Sequence, residues 1–247
     1  MPRCFGYGDP LYEAYHDSEW GVPVQGEREL YERVSLEAFQ SGLAWITILR
    51  KRPAFRAAFA GFEPERVARF TDDDVARLLA DAGIVRNRAK IEATIANAHA
   101  VLGLWERDET LSGLFWSHAP AAPSGAVGAA AGPSGATSPS FSATHADREP
   151  LRRRPLTWAD VPSQTDESRA LAKSLKAAGF RFVGPTTAYA AMQACGLVDD
   201  HLAGCSSVVA SAPGPGSVVV ASAPGPGSVV APGQHPDEAV SPFGTNP

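Results

Sequence analysis

Two stretches of the sequence are too poor in large apolar side chains to build a core, and their positions fix where a core can form. The first runs from about His118 to Pro150 and contains APAAPSGAVGAAAGPSGATSPS. Its Ala, Gly, Pro and Ser side chains bury too little surface to offset the entropy of ordering the chain. The second, Ser206 to Pro247, repeats SAPGPGSVV from Ser211 and again from Ser222. Repetition can signal a solenoid, but Pro-Gly pairs without a consistent apolar face read as a flexible tail. Two blocks remain, 1–117 and 156–205, expected to fold as a single domain. Residues 118–155 then form a low-complexity insertion and 206–247 a disordered repeat tail. A long surface insertion adds little closure entropy, so the two blocks can still meet.

Within the blocks, helix signals follow one another. DPLYEAYHDSEWG opens on an Asp-Pro start, and ERELYERVSLEAFQSG closes on Ser-Gly. EPERVARF and DDDVARLLADAG carry acidic first turns, the second expected to stop at Gly83. Ile91, Ile95, Ala98 and Leu102 recur at helical spacing. DESRALAKSLKAAG, the short link FRFVG and PTTAYAAMQACG make a helix, turn, helix layout, with Pro185 suited to the first turn of the last helix. No stretch alternates as a strand does, so the expected fold class is all-α.

No apolar run nears the roughly 20 residues of a bilayer span. MPRCFGYGDP lacks the apolar core of a signal peptide, so a cytoplasmic location and no membrane partner are expected. Three cysteines in such a chain favour metal ligation or buried thiols over a disulfide framework. A net charge of -5 argues against a broadly basic surface without excluding a nucleic acid, because backbone amides at a helix N-terminus can hold phosphate. The turn before Pro185 can present such amides; an ordinary corner between helices gives the same pattern.

Chemistry concentrates in two places. CGLVDDHLAGC sets His201 and Cys205 four positions apart, so that on a helical turn both face one side. With Cys4 and His16 from the other end of the fold they would make a Cys2His2 site without an open position, structural in role. Spacing alone equally suits a free terminal thiol and a helix-end histidine. The second place is Glu37, which shares a helical register with Leu30 and Val34, so burying those two turns the carboxylate inward. Gln40, Gly42 and Trp45 follow it, and YEAYHDSEW supplies Tyr12, Tyr15 and Trp20. These could line an aromatic pocket with one carboxylate, suited to a flat ligand bearing amino groups or positive charge; a solvated glutamate among core aromatics fits the residue types too.

RCFGYGDPLYEAYHDSEWGVP, SLEAFQSGLAWITILRKR, AGIVRNRAKIEATIANA and GFRFVGPTTAYAAMQACGLVDDHLAGC together resemble the DNA-3-methyladenine glycosylase I family, within the helix-hairpin-helix glycosylase superfamily. The likeness covers Pro2 to about Trp116 and Leu156 to Cys205 and omits both low-complexity stretches. It implies a monomeric, monofunctional enzyme acting on alkylated double-stranded DNA. Such an enzyme flips 3-methyladenine out and hydrolyses its glycosidic bond, leaving an abasic site. It implies a structural Zn2+ on Cys4, His16, His201 and Cys205, with Cys195 outside the site. It maps the base-recognising, catalytic glutamate onto Glu37 and the base-binding rings onto Tyr15, Trp20 and Trp45. Extrusion leaves a hole in the duplex, which the QSGLAW turn would fill with Gly42 and Leu43, although Leu43 suits the core equally; Gly184 would meet DNA at the hairpin.

Some features depart from the family pattern or stay open. Phe5, Gly6 and Tyr7 stand where better-known members carry a tryptophan, so either Phe5 or Tyr7 would supply that wall. Asp199 lies near an aspartate that related superfamily enzymes use in catalysis. VGPTTAY lacks the nucleophilic lysine of bifunctional members, which implies hydrolysis without strand cleavage. Arg86, Arg88 and Lys90 offer a basic cluster for phosphate or a solvated face. The alternative to an enzyme is a zinc-stapled, non-catalytic DNA-binding module.

Overall fold

The computed structural model describes residues 2–120 and 154–207, all within one compact unit, Met1–Pro215. The repeats and most of the insertion lie outside the described residues. Nine α-helices occur among the described residues, and no strand does. They are α1 (Pro10–Ser18), α2 (Glu27–Gln40), α3 (Trp45–Ala58), α4 (Pro64–Val67), α5 (Asp72–Ala80), α6 (Arg88–Trp105), α7 (Leu111–Trp116), α8 (Asp166–Ala177) and α9 (Pro185–Ala194). None is long and apolar enough to cross a membrane.

Local chemistry sets most boundaries. The Asp9 carboxylate caps α1 by accepting from the Leu11 and Tyr12 amides, with Pro10 in the first turn. Thr71 and Asp74 form a reciprocal capping box on α5. That helix ends at Ala80, three residues before the expected stop at Gly83, because Asp81 turns extended and its carboxylate takes the Gly83 amide at 2.7 Å. Between α1 and α2, Glu19 is gripped by Arg52 at 2.6 and 2.7 Å and by Arg33 at 3.0 Å, fixing the residue beside Trp20 to two helices.

The core gathers Leu30, Val34, Phe39, Phe55, Phe59 and Ile91 with the apolar faces of α8 and α9, so the two blocks do pack together. α9 lies against both α2 and α8, and α6 against α2, α4 and α5. Gly196 shows how closely the ends approach: at φ +73° a Cβ there would meet Gly21 O and Pro23 N at 2.6 Å. Only glycine satisfies both the left-handed backbone and that contact. The order also reaches past the expected block ends. His118 Nε2 meets Ser174 Oγ at 2.9 Å, and Ser206 N–H donates to Pro2 O at 3.0 Å.

Candidate active site

The helix register that buries Leu30 and Val34 carries Glu37 inward as well, leaving it 6% exposed. It opens onto a cavity of about 370 Å³ lined by Phe5, Tyr12, Tyr15, Trp20, Gln40, Trp45, Trp158, Ala190 and Gln193. That volume sits near the small end for ligand pockets and suits a single base better than a larger molecule. Tyr15 and Trp45 pack with ring centroids 5.4 Å apart, and Phe5 meets Trp20 edge-on at 5.1 Å. The Glu37 carboxylate makes no hydrogen bond or ion pair among the described residues. Burial pushes its pKa up to about 8, and the nearby Arg33 guanidinium offsets only part of that. A buried carboxyl group without a partner is costly unless a ligand supplies one. A flat cation with amino hydrogens meets that need: rings for its faces, a carboxylate for its donors.

A second cluster stands against the same wall. Cys4 and Cys205 Sγ each lie 3.5 Å from His201 Nδ1, and Cys205 Sγ lies 3.4 Å from His16 Nε2. All four ligating atoms fall within 4.8 Å of one another. The stretch from His201 to Cys205 is a turn rather than a helix, yet it still brings both side chains to one point. His16 Nδ1 faces Asp17 Oδ1 at 2.8 Å, and His201 Nε2 faces Trp20 O at 3.3 Å. An ionised carboxylate and a carbonyl only accept, so each ring carries its proton on that side and turns a lone pair toward the sulfurs. Arg3 bonds both Asp17 oxygens, at 2.8 and 2.9 Å from its Nε, and holds that carboxyl well below the usual carboxylate range. Backbone N–H groups of Leu202 and Ser207 point at the sulfurs of Cys4 and Cys205, at 3.2 and 3.4 Å.

A sequence model of the methyladenine glycosylase family matches residues 5–138 and 134–208. The chain belongs to the methyladenine glycosylase family. It is 41% identical over 206 residues to DNA-3-methyladenine glycosylase 1 of Escherichia coli (strain K12), across 83% of this chain and 96% of that protein. A crystal structure of 3-methyladenine DNA glycosylase I superposes with a TM-score of 0.69 at 41% identity, covering 83% of this chain and 98% of the other. A variant of 3-methyladenine DNA glycosylase I in complex with 3-methyladenine superposes with a TM-score of 0.68 at 32% identity, covering 83% and 97%.

Within this member of the family, Tyr15, Trp20, Trp45 and Glu37 all line the one cavity. Phe5 supplies the wall left open between it and Tyr7; Tyr7 is exposed and its hydroxyl donates to Arg3 O. Gly42 adopts φ +84° in a turn that leaves Leu43 partly exposed, closed by Gln40 Nε2 donating to Leu43 O at 2.7 Å. Gly184 caps α9 with open space around it. Asp199 is not in the cavity wall: it takes Arg154 Nε at 2.8 Å and the His201 amide at 3.1 Å. Cys195 is fully buried in the core. Lys90 corrects the basic cluster, because its Nζ is turned inward to Phe39 O and Ser41 O at 3.0 and 2.8 Å. Arg88 pairs with Glu92 at 3.2 Å.

Sequence reasoning missed Trp158 and Gln193. Trp158 reaches the cavity rim from the far side of the insertion, its Nε1–H donating to Cys4 O at 3.3 Å. Gln193 is steered by the buried Asp200, which accepts its Nε2–H at 2.8 Å. The one signal in the sequence was a lone aromatic inside the polar stretch LTWADVPS.

Proposed function

We propose that the chain is an enzyme, a monofunctional glycosylase that flips 3-methyladenine out of alkylated double-stranded DNA and hydrolyses its bond to deoxyribose, leaving an abasic site. The observation that carries this reading is Glu37, buried and without a hydrogen bond in a ring-lined cavity of base size. Methylation at N3 leaves the adenine cationic, so the glycosidic bond is weakened and the base departs neutral. Little acid catalysis is then required, and recognition supplies most of the selectivity. Tyr15, Trp20, Trp45 and Phe5 offer faces to the flipped base. Glu37 meets its positive charge and amino hydrogens, an attraction that neutral adenine shares only in part. The turn at Gly42 and Leu43 fills the gap left in the duplex, and the α9 N-terminus at Gly184 holds a phosphate on its free amides.

Cys4, His16, His201 and Cys205 are the residues that would hold a structural Zn2+. Bond lengths near 2.3 Å to sulfur and 2.0–2.1 Å to nitrogen give a tetrahedral sulfur-to-nitrogen edge of about 3.6 Å. The separations of 3.4–3.5 Å fit that edge. Bound there, the ion would neutralise two thiolates and tie the chain ends together. All four positions come from protein, so it offers no site for a reactive water. The protein is expected to act as a monomer in the cytoplasm.

A binding module without catalysis has no use for an unpaired inward carboxylate, which only costs it stability. Release of free 3-methyladenine from methylated duplex, measured for the wild type and for Glu37→Gln, decides between the two. No release by the wild type would leave the binding module standing.

A further inference from the structure

One face of α6 carries three polar side chains where a core helix would ordinarily carry apolar ones. Lys90, Thr94 and Asn97 are 8%, 1% and 1% exposed, spaced i, i+4 and i+7. Lys90 Nζ donates to Phe39 O and Ser41 O, the last carbonyls of α2 and the start of the Gly42–Leu43 turn. Its charge suits that helix C-terminus. Asn97 reaches the other way: its Oδ1 accepts from Arg181 N at 2.7 Å and its Nδ2 donates to Arg181 O at 3.2 Å, inside the hairpin before α9. Thr94, between them, donates back to Lys90 O at 2.9 Å, and the Tyr31 hydroxyl donates to Thr94 O at 2.8 Å.

These bonds end on the backbones of two turns whose tips stay uncovered, Leu43 and Phe182. Phe182 holds a left-handed φ of +58°, a strained conformation that needs its neighbours fixed. Lys90 and Asn97 are seven residues apart, about 10 Å along a helix axis. A rigid helix therefore separates the anchor of one turn from the anchor of the other by a set length. Burying an ammonium is a poor way to fill space, since methionine packs as well without desolvation.

We propose that the buried polar edge of α6 sets the spacing between the Gly42–Leu43 turn and the hairpin at Arg181–Gly184, so that both engage one duplex while the lesion is extruded. Lys90 and Asn97 are then positioning residues for extrusion, not for base recognition. The inference rests on the reading of those two turns as DNA contacts given above.

The test separates extrusion from recognition. Excision is measured on duplexes with 3-methyladenine opposite thymine or opposite an abasic-site analogue, where less unpairing is needed. Affinity for free 3-methyladenine is read from indole fluorescence. Lys90→Met and, acting at the other end, Asn97→Ala should each slow excision of the paired lesion about 10-fold and of the unpaired lesion about 2-fold or less, with free-base affinity unchanged. Equal losses on both duplexes, or a parallel loss of free-base affinity, would overturn the proposal, since either marks a general structural role. Leu43→Ala keeps the underlying reading separate. If it leaves paired-lesion excision intact, the wedge itself is wrong; if it slows excision while Lys90→Met and Asn97→Ala do not, only the α6 proposal fails.

Discussion

The cysteine–histidine cluster and the cavity share a wall, Phe5 and Trp20, yet treat their polar atoms in opposite ways. In the cluster each histidine has a fixed partner for its proton-bearing nitrogen, and backbone amides point at both sulfurs. In the cavity, the Glu37 carboxylate has no hydrogen-bond partner among the described residues, and the Arg33 charge offsets only part of its burial. Satisfied polar groups rigidify; unsatisfied ones store a cost that a ligand can relieve. The contrast supports the proposed reading of one cluster as holding the fold and the other as the reactive site, although they adjoin at Cys4 and Phe5.

The largest expected effect breaks the first half of that contrast. His201→Ala removes one ligand and the tie to Trp20 O, and should lower stability by about 3–5 kcal/mol in denaturant unfolding while abolishing stoichiometric zinc in metal analysis. Cys195→Ala is the control: its thiol is buried in the core, so it should lose about 1 kcal/mol to a cavity and keep its metal. Equal metal loss in both variants would show that the cluster is not the site. Glu37→Gln breaks the second half, with opposite signs on two readouts. Losing a charge-assisted contact to a cationic base should slow base release about 100-fold, near 2.7 kcal/mol. Stability should rise instead. The folded pKa of Glu37 is raised from 4.5 to about 8, so the folded state keeps a proton that the unfolded chain gives up. Stability is therefore lost as pH rises through that window, and glutamine removes the loss, giving a higher Tm at pH 8. A lower Tm would mean that Glu37 serves the fold.

The same contrast explains what the sequence could and could not reveal. Helix starts were legible because their signals are local: Asp9, the acidic turn at Asp72–Asp74 and Pro185 act within three residues of themselves. Glu37 was legible because a helical register that buries Leu30 and Val34 leaves it no other direction. The cluster was only half legible from spacing: His201 and Cys205 pair four positions apart, but Cys4 and His16 come from the opposite end of the chain, so the same residues suited a free thiol and a helix-end histidine until the resemblance favoured the site. Phe5 and Tyr7 were indistinguishable because the chain around them turns at Gly6, φ +94°, and Gly8, φ +80°, and has no period to assign faces. Lys90 read as part of a basic surface because a charged residue in a first turn usually is one. Only the arrival of the α2 carbonyls turns it inward, and that contact spans about fifty positions of sequence.

A pH series sharpens the cavity further. A cationic lesion prefers ionised Glu37, so kcat/KM should rise with pH about tenfold per unit and level off near the free-enzyme pKa of about 8. Bound cation favours the carboxylate, which should leave kcat flatter than kcat/KM. Glu37→Gln should remove the rise; a rise that survives in that variant would assign the titration to another group.

The smallest effect tests where the shared wall ends. Trp158 is 45% exposed, its ring centroid 6.1 Å from Phe5 and 6.2 Å from Trp20, and its indole N–H ties it to Cys4 O. It therefore touches the cavity rim and the cluster backbone at once. A half-exposed ring contributes little desolvation, so Trp158→Ala should raise KM for methylated duplex about threefold and leave kcat nearly unchanged. Metal content should not move, because the ring donates to a backbone carbonyl and not to a sulfur. If kcat falls instead, the ring orders the base for reaction, and Trp158 belongs with the base-contacting residues rather than the rim. If zinc is lost, the wall belongs to the cluster, and the division between holding and reacting must be drawn on the far side of Phe5.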